Sequence, residues 1–262
     1  MFTRARRREK KSDHRGDRKI SVKIWRPLIA RFNDKVLAAC LRRDPYIARV
    51  LERELPLLDL ELSVANSATA EKFVADQLDQ MEDRKLVSLA LPPALTTQLD
   101  EICARKRIVR DAFFNRMFFL LAAQPRLLDA LLFPDHADWR TEIWGEYRHE
   151  GPFFQNGFYP LEPDIDPFWA LRTAFEVRAQ REEKVEEELD PVSGGKMWVT
   201  RDLTGATMPV PGIYSTVLET PAGKTSLLGL SCFIPDSRIP GTPAAQALGS
   251  KLDELLAGLD QA

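Results

Sequence analysis

Two stretches of this chain follow the same rhythm at an ungapped offset of 67 residues. Ile20-Ser21-Val22-Lys23-Ile24 lies over Val87-Ser88-Leu89-Ala90-Leu91, and apolar side chains alternate in both, the period of a half-buried strand. A helical stripe follows each, Leu28, Phe32 and Val36 over Leu95, Leu99 and Cys103. Arg43-Asp44 then falls on Arg110-Asp111, where a second helix is expected to start. An aspartate there caps free N–H groups and suits the helix dipole, and Pro45 suits the first turn. The second helices read Tyr46, Ile47, Val50 and Leu51 over Phe113, Phe114, Met117 and Phe118, with Arg49 falling on Arg116. Identities are few. The repeat rests on a strand period and two helix periods that change in shared register.

One strand and two short helices cannot close a core. Units at 20–58 and 85–122, joined by a helical connector at 59–84, are therefore expected to pair. Their pattern resembles the ribbon-helix-helix family of bacterial and phage DNA-binding proteins. The second copy carries the likeness best: Val87-Ser88-Leu89-Ala90-Leu91-Pro92 matches the strand and the proline that opens the first helix. Leu95, Leu99 and Ile102 match that helix's inward positions. The resemblance spans about residues 18–58 and 85–122. It implies that two copies interlock, pair their strands as an antiparallel ribbon and insert its outward face into the major groove of double-stranded DNA. Either the two copies in one chain form a pseudo-dimer, or two chains supply the ribbon.

Carried across residue by residue, the family's reading positions are Lys19, Ser21 and Lys23 in the first copy and Leu86, Ser88 and Ala90 in the second. Only Ser88 of the latter set offers a polar group. The family also seats a phosphate at the N-terminus of its second helix. Here Arg43, Arg107 and Arg110 would attract one, whereas Asp44 and Asp111 would repel it. The turns between helices lack the glycine often found in the family. On the residues alone, Ser21 and Lys23 fit the solvent face of an exposed strand equally well, and the Phe113–Phe119 aromatics read as core.

Charge adds a second pointer to nucleic acid. The chain has a formal net charge of −2, yet residues 1–19 hold nine Lys/Arg against three acidic side chains. That arm, with Arg6, Arg7 and Arg8 at its centre, is suited to releasing counterions from a phosphate backbone, or is a solvated tail without a partner. No apolar run approaches the roughly 18 residues of a membrane span. The basic N-terminus has no apolar segment behind it, so no secretory signal is expected. Cys40, Cys103 and Cys232 lie far apart without a CxxC, and reduced thiols in a cytoplasmic protein without metal or cofactor are expected.

The second half, 139–262, reads as a separate α+β domain with a small antiparallel sheet. A helix is expected from Pro167 into the acidic run that ends at Glu188, then strands at Lys196–Thr200 and Ile213–Glu219. A turn at Pro221-Ala222-Gly223 would lead into a strand over Thr225–Ile234, and an amphipathic helix over Ala244–Leu259 follows. Catalytic spacing is absent. His136 and His149 bracket Glu142 and Glu146 without a metalloprotease pattern, and Ser193-Gly194-Gly195-Lys196 lacks phosphate-loop spacing. The sequence thus points to a DNA-binding regulator, not an enzyme. Its C-terminal domain would oligomerise, sense a small ligand or bind a protein partner. The alternative is an antitoxin-like or plasmid-transfer-like interaction component that uses the repeats as an assembly core.

Overall fold

The computed structural model describes residues 16–133, 166–182, 186–189, 194–220 and 224–259. Strand β1 (Arg18–Trp25) pairs antiparallel with β2 (Arg84–Leu91), and Ser21 stands opposite Ser88. The 67-residue offset maps Ser21 onto Ser88. A local pseudo-twofold axis therefore passes between these two serines, and both strands belong to one chain. Alternation works as the pattern requires. Ile20, Val22 and Ile24 face inward with Val87, Leu89 and Leu91, while Lys19, Ser21, Lys23, Leu86 and Ser88 are exposed and Ala90 is half-buried.

Six helices follow the two strands, three after each. In the first unit α1 (Arg26–Ala38) and α2 (Arg43–Glu61) follow β1; α3 (Ala68–Gln80) is the connector, capped by the Ser67 hydroxyl, which accepts from the Ala70 N–H at 2.9 Å. In the second unit α4 (Pro93–Lys106) and α5 (Arg110–Ala122) follow β2, and α6 (Pro125–Leu132) comes next. The apolar stripes are buried as patterned: Leu28, Ile29, Phe32 and Val36 on α1, Leu95, Leu99, Ile102 and Cys103 on α4. The first helix of each unit packs on the second helix of the other, α1 on α5 and α4 on α2. Phe32 meets Phe118 edge to face across that crossing, with ring centroids 4.8 Å apart.

Two residues that end first helices occupy the left-handed region, Cys40 with φ 55° and Arg107 with φ 52°. The offset of 67 maps one onto the other, so each unit makes the same turn without glycine. A side chain in this conformation costs roughly 1–2 kcal/mol, partly offset by the extra unfolded-state freedom of glycine. Cys40→Gly and Arg107→Gly are each expected to raise folding stability by about 0.5–1 kcal/mol in chemical denaturation. A loss of stability in both would rule out strain at these turns.

The second half contributes α7 (Trp169–Glu182), an antiparallel sheet of β3 (Glu186–Leu189), β4 (Lys196–Arg201) and β5 (Thr207–Pro209) in that order, two short 3-10 turns, and α8 (Pro243–Leu259). Phe168, Leu171, Phe175, Ile213, Tyr214, Leu230, Phe233 and Ile239 join one apolar cluster with the helices of both units. Helix α7 and the 213–239 segment thus share a core with the repeats. Helix α5 is consequently buried all round, from Ala112 to Ala122. Contact is close at Gly229, where an added Cβ would lie 2.7 Å from the Leu78 backbone on α3.

Two expectations are corrected. The helix after Pro167 stops at Glu182, and the acidic run Glu186–Glu188 is a strand. Its carboxylates have cationic neighbours across the sheet, Glu187 with Lys196 at 2.6 Å and Glu188 with Arg201, which offset the poor strand propensity of glutamate. No hairpin joins Ile213–Glu219 to Thr225–Ile234; described residues there form turns and a 3-10 helix at Leu228–Leu230. Side chains from α2 and the α2–α3 loop take the place of a strand ladder. The Tyr214 and Ser215 N–H groups donate to Glu61 Oε1, and Asn66 binds the Cys232 carbonyl and the Ile234 N–H.

Candidate nucleic-acid interface

The outer face of the β1–β2 sheet places Lys19 opposite Ala90, Ser21 opposite Ser88 and Lys23 opposite Leu86. Each end of the face therefore presents one ammonium beside one apolar side chain, and two hydroxyls lie at the centre. Neither lysine forms an ion pair among the described residues. Two strand arginines are engaged, Arg18 with Asp100 at 3.6 Å and Arg84 with Asp79 at 2.8 Å.

Both free edges of the sheet are closed by the starts of the second helices, in a pseudo-symmetric way. The Lys23 N–H donates to Asp111 Oδ2 at 3.2 Å, and Arg110 Nη2 donates to the Ser21 carbonyl at 3.3 Å. At the offset of 67, the Ala90 N–H donates to Asp44 Oδ2 at 3.0 Å, and Arg43 Nη2 to the Ser88 carbonyl at 2.7 Å. Asn115 adds a further clamp on β1, accepting from the Trp25 N–H at 2.9 Å and donating to the Lys23 carbonyl at 2.8 Å. An unpaired strand edge invites non-specific pairing, and these side chains blunt it. They also fix the tilt of α2 and α5 against the strands.

This geometry gives the sequence-derived residues different standings. Lys19, Ser21, Lys23 and Ser88 come together on one exposed face. Arg43 and Arg110 lie beside that face with their guanidinium groups on strand carbonyls, 32% and 40% exposed. Arg107 is exposed at the turn between α4 and α5, and its carbonyl accepts from Asn66 Nδ2 at 3.0 Å. Arg6, Arg7 and Arg8 lie outside the described residues, as do His136, His149, Glu142 and Glu146. Asp44 and Asp111, expected to repel phosphate, spend one oxygen each on a strand N–H.

A second polar cluster, missed from sequence, joins the two halves. Glu54 is fully buried on α2 and accepts from the Tyr214 hydroxyl at 2.5 Å and from Arg172. One turn pair further, Glu61 Oε1 accepts from the Tyr214 and Ser215 N–H groups at 2.5 and 2.7 Å. Arg172 Nε also donates to Asp166 Oδ2 at 3.1 Å. Burial pushes the Glu54 carboxyl and the Tyr214 phenol up, against the pull of Arg172 on both. Perturbed groups of this kind can mark catalysis, but these are enclosed in the core, and their partners are backbone and side chains of the second half. Their spacing was legible in part: Glu54 and Glu61 are seven apart, on the same face as Val50, Leu51 and Leu58.

No group of His, Cys, Asp and Glu able to hold a metal ion occurs among the described residues, and no described helix is long and apolar enough to cross a membrane. Comparison with known proteins returned no matching family model, no similar curated protein and no similar solved structure.

Proposed function

We infer that this chain is a sequence-specific double-stranded DNA-binding regulator of the ribbon-helix-helix type. The carrying observation is the exposed outer face of a two-stranded antiparallel ribbon, with Lys19, Lys23, Ser21 and Ser88 disposed about a pseudo-dyad. A major groove about 12 Å wide admits such a ribbon. Lysines donate to guanine O6 and N7 there, hydroxyls serve either base, and small apolar groups such as Ala90 suit a thymine methyl. The basic arm with Arg6, Arg7 and Arg8 follows the adjacent backbone. Because one chain holds both strands, a single chain presents a complete reader, and its two halves differ. The preferred site is then asymmetric, with Lys19/Ala90 at one end and Lys23/Leu86 at the other.

The test is selection from a pool of random duplexes with the full chain, followed by titration of the enriched sequence. Lys19→Ala and Lys23→Ala are each expected to weaken that duplex about tenfold or more, within the 1–3 kcal/mol of a base contact. Melting should be unchanged because both side chains are exposed. No enriched motif, together with variants that bind like the parent, would overturn the reading. One observation favours assembly instead: Leu86 is 63% exposed on the same face. A stable oligomer that Leu86→Lys disperses, formed by protein indifferent to DNA, would establish that second reading.

A further inference from the structure

At the end of the β1–β2 sheet that carries Lys23 lies an open cleft of about 400 Å³, walled by β1, α3, the start of β2, α4 and the first turn of α5. Small-molecule sites begin at roughly 300 Å³, so this volume suits a molecule of amino-acid size. Part of its lining is apolar, from Leu78, Cys103 and Val109. Burial pushes the Cys103 thiol up to about 12, which keeps it a neutral wall.

The charged lining is what selects a ligand class. Arg84 is closed on Asp79 at 2.8 Å, and one oxygen of Asp111 is taken by the Lys23 N–H. Besides the second Asp111 oxygen, three groups keep spare capacity. Arg110 Nη1 has only a 3.7 Å contact, to Asp100, and the side chain is 40% exposed. The Lys23 ammonium has no ion pair among them. Asp100 has only long contacts, 3.6 Å to Arg18 and 3.7 Å to Arg110, and is 42% exposed. Two donors and the Asp100 carboxylate around an apolar wall complement a carboxylate, an ammonium and a short hydrocarbon side chain.

We propose that this cleft binds a free amino acid with a small apolar side chain. Its carboxylate lies on Arg110 and Lys23, its ammonium on Asp100, and its side chain against Leu78, Cys103 and Val109. Among the described residues the repeat does not supply a second such site. Helix α3 has no counterpart in the repeat, and at the offset of 67 Asp100, Arg84 and Lys23 become Asn33, Asp17 and Ala90, two of them neutral and one of opposite charge. The proposal does not rest on DNA binding.

Calorimetric titration of the full chain, without DNA, tests it with L-valine and two single-charge analogues, isovalerate and isobutylamine. Valine should give saturable heat, and each analogue should bind at least about tenfold more weakly for want of one charge-assisted contact. Asp100→Asn should weaken valine about tenfold, and Ala75→Trp, which fills the cleft from α3, should abolish it, with circular dichroism confirming the fold of both. The proposal is overturned by no heat with valine at millimolar concentration, by analogues that bind as well as valine, or by valine binding that survives Ala75→Trp. Failure of DNA selection leaves each of these outcomes readable.

Discussion

Arg116→Met is expected to lose roughly 3–5 kcal/mol of folding stability, much of what holds a protein of this size together. Arg116 is fully buried on α5, where Nε donates to the Ile213 carbonyl at 2.7 Å and Nη2 to the Thr216 carbonyl at 3.0 Å. Burial disfavours its charge, and the nearby Glu61 carboxylate acts the other way. Methionine keeps most of the volume, so the loss is not chiefly a cavity. It is two buried carbonyls left unpaired, at about 1–3 kcal/mol each, and a carboxylate left without its neighbour. Arg116→Lys should recover little, because an ammonium cannot reach both carbonyls in the geometry of a planar fork. Urea denaturation gives the magnitude. Limited proteolysis should cut first in the 213–216 turn of the variant and not of the parent. A variant within about 1 kcal/mol of the parent, uncut at that turn, would show that the second half docks without this arginine.

The fate of Arg116 also shows where the sequence stopped being informative. Arg49 and Arg116 match at the repeat offset, yet Arg49 is exposed and Arg116 is buried. Nothing within either unit distinguishes them; the difference comes from a segment about 100 residues downstream that lies against Arg116, while Arg49 stays exposed. The same distance hid the role of Arg43, Asp44, Arg110 and Asp111. Their identity across the repeat was visible, but as helix starts, because a side chain clamping the other unit's strand leaves no local pattern. What was legible has a local cause. Alternation fixed the inward and outward residues of both strands, and the i, i+4 stripes fixed α1 and α4, since each period follows from backbone geometry alone. In the second half β4 and α8 follow their local signals, whereas β3 lies in a run whose composition reads as helix. The 213–234 region does not follow its local signals, because side chains of α2 and the α2–α3 loop satisfy part of its backbone in place of a ladder.

The double variant Phe32→Ala/Phe118→Ala tests whether the two units are one core. Both rings are fully buried, one on α1 of the first unit and one on α5 of the second, with centroids 4.8 Å apart and planes at 74°. Each single substitution is expected to cost about 3–5 kcal/mol, the usual range for removing a buried phenyl ring. If the units were independent, the costs would add, as they do for distant sites. Here each ring is the other's neighbour. Once one is gone, the second has already lost its edge-to-face partner and part of its packing. The double variant should therefore be less destabilised than the sum, by about 0.5–1.5 kcal/mol. To keep all four proteins folded, the cycle is best run with Cys40→Gly and Arg107→Gly as background, since neither touches the ring pair. Additive costs would mean that the rings act through separate cores. Coupling of the expected size would fix a physical reason for the duplication: neither unit owns enough apolar surface to fold by itself, and each supplies the helix that the other's core lacks.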